Sequence, residues 1–269
     1  MSAPDETLSD AHLTTSHTMS KVPLVTGYFW AIKILTTGMG EAASDWLVKL
    51  GGVVAVGLTF VVLAGSLVLQ LKVNRYMVWV YWFAVVMISV FGTMAADIPH
   101  RLGVSLWATS SAYLLAVVAI FTVWHRLEGT LSFSAIDTRR RETFYWLAVL
   151  ATFALGTAVG DLTARTWGLG YLEAGIIFVV LIAMPAVARR WMRLGAVAAF
   201  WIAYVLTRPL GASFADWMGS RRGGLGIGAG LVALLWTVAI VVLICYLAFA
   251  RKDSGSAEGG AVEPASAVA

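Results

Sequence analysis

Charge is what this chain has little of. Only 13% of its 269 residues are Asp, Glu, Lys or Arg, against roughly 25% in an average soluble domain. Apolar residues make up 59%, and mean hydropathy is +0.82. That balance excludes a soluble enzyme, a secreted disulfide scaffold and a nucleic-acid binder. The formal net charge of +4 is loop charge that orients a membrane protein. Cysteine is almost absent: Cys245 stands alone in an apolar run, so an intrachain disulfide and a cysteine metal cluster are excluded. Histidine is scarce too. His12 and His17 sit in the polar N-terminal stretch, and His100 and His125 end apolar runs on opposite membrane faces, which argues against a bis-His haem or a His-based zinc site. The first twenty residues carry Asp5, Glu6 and Asp10 and no apolar core, unlike a signal peptide. There is no Walker loop and no nucleophile paired with a base. Residues 1–20 and 251–269, poor in bulky apolar residues, are expected to be disordered tails.

What is present is long apolar runs. Crossing about 30 Å of hydrocarbon takes roughly 20 helical residues. Runs of that length fall near 23–47, 50–71, 77–97, 104–124, 143–163, 170–188, 194–217 and 226–249. The breaks between them carry Gly, Pro or charge, as at Gly51-Gly52, Pro99-His100-Arg101 and Arg189–Arg193. The pattern predicts an all-α polytopic membrane protein with eight transmembrane helices over residues 21–250. Lys and Arg set its orientation. The side holding the N-terminus collects twelve of the nineteen, and the opposite side five. The other two, Lys33 and Arg208, fall inside spans. Both termini are therefore expected in the cytoplasm, and the Arg139–Arg141 run reads as a topology determinant.

An internal repeat is the strongest signal. The pattern (Phe/Tyr)-Trp-x9-Gly-x4-Asp occurs as Trp30, Gly40, Asp45; Trp82, Gly92, Asp97; Trp146, Gly156, Asp161; and Trp201, Gly211, Asp216. The aromatic residues before each Trp are Phe29, Tyr81, Tyr145 and Phe200. On these residues, and on segments such as 33–41 and 148–158, the chain resembles bacterial membrane proteins built from four tandem repeats of unknown function, each with two transmembrane helices and a characteristic tryptophan. The resemblance implies repeats of about 21–72, 73–126, 140–190 and 191–250, and a place in the bacterial inner membrane. It implies no chemistry.

Two helices per repeat make the repeats parallel, about an axis along the membrane normal. The four Asp residues then lie at one depth, toward the non-cytoplasmic ends of the first, third, fifth and seventh spans. The Trp residues are expected as anchors in the cytoplasmic interface, and the glycines as close-packing points between helices. Repeats 1 and 4 share Phe-Trp, Thr36 and Thr207, Asp-Trp, and an in-span cation; a closed ring would make them neighbours.

Lys33, Thr37, Glu41, Ser44 and Asp45 fall on one helix face about 120° wide. Intramembrane ionisable residues normally face a bundle interior or water and mark a pathway. The expected pathway comprises Lys33, Thr37, Glu41, Asp45, Asp97, Asp161, Arg208 and Asp216. Its carboxylates, Glu41, Asp45, Asp97, Asp161 and Asp216, form an all-oxygen set suited to Mn²⁺ or Mg²⁺ or to exchangeable protons. A purely architectural role for the Asp residues is an equal reading, and a structural ion pairing of Lys33 and Arg208 with Glu41 and an Asp is the alternative to their pathway role. The function expected is a secondary transporter of a small cation such as a divalent metal, proton-coupled. The partners are the bilayer and that ion, with a homo-oligomer left open. The alternatives are a membrane redox or lipid- or quinone-binding module, and a passive channel.

Overall fold

The computed structural model describes residues 21–250; the two expected tails, with His12 and His17, lie outside the described residues. Among the described residues the fold is all-helical, with seven helices long and apolar enough to cross a membrane. These are α1 Gly27–Lys72, α2 Val78–Arg101, α3 Leu106–Glu128, α4 Arg139–Asp161, α5 Tyr171–Trp191, α6 Ala196–Gly219 and α7 Ala229–Ala250. Hydroxyl caps start several of them. Thr26 accepts from the Phe29 amide, Ser105 from that of Ala108 and Thr138 from that of Arg141, each satisfying an orphan donor of the first turn.

The sequence reading expects eight helices, and the first two of those spans run here as one helix of 46 residues. The break expected at Gly51-Gly52 is a kink inside α1. Gly52 has φ 49° and ψ −126°, a backbone region that only glycine enters without strain.

The N-terminal half of α1 and helices α2, α4 and α6 form a closed ring. At every seam the repeat glycine of one helix meets the residue three before the glycine of the next. Gly40 faces Ser89, Gly92 faces Phe153, Gly156 faces Arg208, and Gly211 faces Thr37. A Cβ would collide with the neighbour at Gly40, Gly156 and Gly211, and would sit 3.4 Å from Phe153 at Gly92. One level away, the aromatic residue of each repeat packs on the Trp of the next. Ring centroids are 5.7 Å apart for Phe29 and Trp82, 5.5 Å for Tyr81 and Trp146, 6.2 Å for Tyr145 and Trp201, and 5.7 Å for Phe200 and Trp30. Matching positions meet at both levels, so the four inner helices run in one direction around one axis. Repeats 1 and 4 are neighbours.

These contacts correct the reading of the tryptophans as interface anchors. Trp82, Trp146 and Trp201 are buried and Trp30 is half-buried, because each indole is wedged against the aromatic ring of the preceding repeat. The outer segments cover the seams. The second half of α1 packs on α2 through Phe60 and Phe91, α3 on α4 through Trp124 and Phe144, and α5 on α6 where Gly175 meets Phe214. α7 returns to α1 through Tyr246 on Tyr28 and Trp236 on Gly38. Since overpacking typically costs about 1–3 kcal/mol, Gly211→Val is expected to lower the melting temperature by about 5 °C or more. Gly65→Ala, where a Cβ meets nothing within 4 Å, is expected to leave it unchanged. Thermal unfolding in detergent checks both, and equal melting temperatures would dissolve the ring-seam argument.

Candidate functional site

The centre of the ring is charged. Arg208 in α6 is 1% exposed, although its side chain is among the largest fully buried ones. It fits because Gly156 of α4 leaves room for its Cβ and Cγ. Its guanidinium crosses the axis. Nη1 donates to the Thr37 carbonyl at 3.1 Å, and Nη2 donates to Glu41 Oε2 at 2.5 Å and to the Thr93 hydroxyl. Thr93 in turn donates to the Ser89 carbonyl at 2.8 Å. The Thr37 hydroxyl donates to the carbonyls of Ile34 and Thr207, at 2.6 and 3.0 Å, which ties α1 to α6 beside the ion pair. Repeats 1, 2 and 4 thus meet on one guanidinium. Such an arrangement neutralises a buried acid while closing the axis.

Lys33 lies on the aromatic side of this pair and is also 1% exposed. Its Nζ has no hydrogen-bond partner among the described residues. It sits 3.8 Å from the Phe153 ring centroid and 4.2 Å from that of Tyr204, over the electron-rich faces that attract a cation. Sequence reasoning missed both rings, yet a signal existed. Tyr204 stands seven residues before Gly211, as Lys33 stands seven before Gly40, and Phe153 stands three before Gly156. Aligning the repeats puts all three near one level.

At the other end of the inner helices the four Asp residues are not alike. Asp45 pairs with Lys49 at 3.7 Å, Asp97 with Arg101 at 3.7 Å and Asp161 with Arg165 at 3.2 Å, each four residues on. Asp216 has Ser220 at that position and no ion pair among the described residues. Among those residues, no group of three or more His, Cys, Asp and Glu side chains is placed to hold a metal ion. Glu41, Asp45, Asp97 and Asp161 are each turned to a basic partner instead. The structure therefore brings together Lys33, Thr37, Glu41 and Arg208 at the centre of the ring, and leaves the Asp residues at its rim.

A cavity of about 390 Å³ opens at this rim, lined by Asp45, Lys49, Arg165, Tyr171, Asp216 and Arg221, with Ala42 and Ala215 among its small residues. Ala42, in its lining, follows Glu41 in the chain. Its edge is built by the 220–228 loop, which folds back on the end of α6 through Leu225 N to Trp217 O and Gly226 N to Ser220 O, at 2.8 and 2.9 Å. Gly224 permits that approach, since a Cβ there would strike the Trp217 carbonyl.

The opposite end is shut by aromatic side chains. Phe133, from a short 3-10 turn between α3 and α4, inserts among Phe29, Tyr145 and Phe200 at 5.6, 5.7 and 4.7 Å between ring centroids. The Tyr81 and Tyr145 hydroxyls lie 2.5 Å apart. Glu142, fully buried, accepts from Lys21 Nζ at 2.7 Å and Gln70 Nε2 at 3.0 Å, and the Lys21 amide donates to the Ile136 carbonyl at 3.1 Å. The 129–138 loop is thereby strapped over the end of the axis. Phe133 is a loop residue that no periodicity marks, and Glu142 stands in the first turn of α4 outside the repeat pattern, so sequence reasoning found neither.

A family model described as Repeat of Unknown Function (DUF347) matches four times, over residues 28–76, 80–130, 144–194 and 199–253. The chain belongs to this repeat family. The matched boundaries follow the expected repeats to within several residues, and each begins next to the aromatic-Trp pair that forms a seam. No curated protein and no solved structure matches the chain.

Proposed function

We propose that the protein is a secondary transporter of a small solute bearing a cationic group, coupled to protons, with the Arg208–Glu41 pair as its central gate. One observation carries the reading: a charged axis has a cavity of about 390 Å³ at one end and an aromatic closure at the other. That is the layout of a carrier standing open to one side. A passive channel is the poorer fit, because Arg208 and Phe133 fill the axis at two levels. Among cations, a divalent metal such as Mn²⁺ has less support than a protonated amine, since Glu41 already holds Arg208 and no three Asp, Glu, His or Cys ligands are grouped among the described residues.

In this reading the two halves of α1 cross the membrane separately. A straight helix of 46 residues would be about 69 Å long, over twice the ~30 Å of hydrocarbon. Eight crossings then make four parallel two-helix repeats in the bacterial inner membrane, with both termini cytoplasmic by the charge of the loops. Substrate would enter from the non-cytoplasmic side.

The test is flux into proteoliposomes under an imposed proton gradient, with ethylammonium, β-alanine and Mn²⁺ as probes. Glu41→Gln keeps the shape and leaves an amide oxygen to accept from Arg208 but removes the counter-charge, so it is expected to lower the melting temperature and to abolish flux in the folded protein that is reconstituted. Unchanged flux in the Gln variant removes Glu41 from the mechanism, and no flux of any probe by the wild type counts against transport. A second reading, a lipid- or quinone-binding module, has one observation in its favour: an apolar cavity of about 340 Å³ beside Trp30, Pro185 and Phe200 with Arg189 in its lining. Solvent extraction of the purified protein, followed by mass spectrometry, would show a retained quinone if that reading is right.

A further inference from the structure

The cavity at the rim says more about the solute than its cationic group. Its charged lining comprises two acids, Asp45 and Asp216, and three bases, Lys49, Arg165 and Arg221. Three of these five already have partners: Asp45 and Lys49 pair with each other, and Arg165 pairs with Asp161. Asp216 and Arg221 remain, with no ion pair of 4.0 Å or less between them or to any other described residue. Asp216 alone of the four repeat acids lacks a base four residues on. Its nearest basic neighbour in sequence, Arg221, is held on the loop that folds back over the end of α6. One carboxylate and one guanidinium of opposite sign thus face one cavity without meeting.

We infer that this cavity binds a small zwitterion, its ammonium on Asp216 and its acidic group on Arg221; the inference rests on the transport reading for its purpose, not for its test. A bare cation would meet an excess of positive lining, and a bare anion would leave Asp216 unanswered. A molecule with both groups satisfies each at once, and charge-assisted hydrogen bonds are the stronger kind. The volume of about 390 Å³ lies at the small end of the roughly 300–1,000 Å³ of ligand sites, which favours a solute of few atoms. Small residues, Ala42, Ala215 and Gly219, leave the space open. A solute without net charge is also one that a coupled proton can drive.

Isothermal titration of the detergent-purified full chain tests this with glycine, β-alanine and 4-aminobutanoate. Ethylammonium and propionate, the two halves of β-alanine, serve as single-charge controls. One of the three zwitterions is expected to bind at least about tenfold more tightly than either control, because a charged hydrogen bond is worth about 1.5–3 kcal/mol. Asp216→Asn and Arg221→Gln are each expected to remove that advantage, whereas Arg222→Gln, the exposed neighbour, keeps it. Binding of the controls as tight as that of the zwitterions, full affinity in Arg221→Gln, or binding of none of the three overturns the inference. Zwitterion binding without flux in proteoliposomes leaves the inference standing and overturns the transport reading. Flux with no zwitterion binding does the reverse.

Discussion

Arg208→Leu is expected to collapse the fold, whereas Arg190→Leu leaves it intact. Removing one partner of a buried ion pair strands the other charge, at a cost of about 3–5 kcal/mol. In this protein the stranded group is Glu41, 4% exposed. The Thr37 carbonyl and the Thr93 hydroxyl lose their donor at the same time. Arg190, exposed at the end of α5, has no comparable partner, and exposed substitutions usually stay within about 0.5 kcal/mol. The double variant Glu41→Gln/Arg208→Leu removes both charges. It is expected to recover a large part of the stability lost by Arg208→Leu alone, because a neutral amide can stay buried with one hydrogen bond to Thr93. Size-exclusion yield and melting temperature in detergent read all four proteins. Equal tolerance of Arg208→Leu and Arg190→Leu, or no recovery in the double variant, would show that the pair is not the centre of the ring.

The ring was legible in the sequence because its seams are made by the residues that repeat. Trp-x9-Gly-x4-Asp fixes which levels meet, and a glycine at each seam lets the neighbour approach. Hydropathy marked the helices and Gly51-Gly52 marked the kink, for the physical reason that glycine alone accepts the Gly52 backbone. The roles of the side chains were less legible. A tryptophan near a helix end looks the same whether it faces lipid or the next repeat, and only the closed ring decides. The reading of the acids as one ligand set left out that Lys49, Arg101 and Arg165 stand four residues after Asp45, Asp97 and Asp161, the spacing of a helical ion pair. That same spacing exposes Asp216 as the exception. Glu41 and Arg208 were legible as charges inside spans, but their joining needed the ring, since 167 residues separate them. Phe133 and Glu142 were beyond reach, because their places depend on how a loop lies across the bundle.

The closure by Phe133 leads to the second large effect. Phe133 is the residue that touches rings of three repeats at once, Phe29, Tyr145 and Phe200. It comes from a loop rather than from the ring helices, so truncating it removes the stopper without disturbing the seams, where Phe29 still meets Trp82 and Phe200 still meets Trp30. Phe→Ala at a buried site leaves a cavity and costs about 3–5 kcal/mol, and here that cavity lies on the axis. Phe133→Ala is therefore expected to fold with reduced stability and to leak. Proton leak through proteoliposomes should rise about tenfold or more over wild type, a change equivalent to roughly 1.4 kcal/mol in the barrier. Phe133→Leu, which refills much of the volume, should restore tightness. The control for general disorder is Phe178→Ala in the outer helix α5, where Phe178 is buried and packs with Ala174 and Leu210; it is expected to lower stability without leak. If Phe133→Ala stays as tight as wild type, the aromatic end is not the closed side of the axis. If wild type already leaks as fast as the variant, the protein is an open path, and a carrier with one closed end is the wrong reading of it.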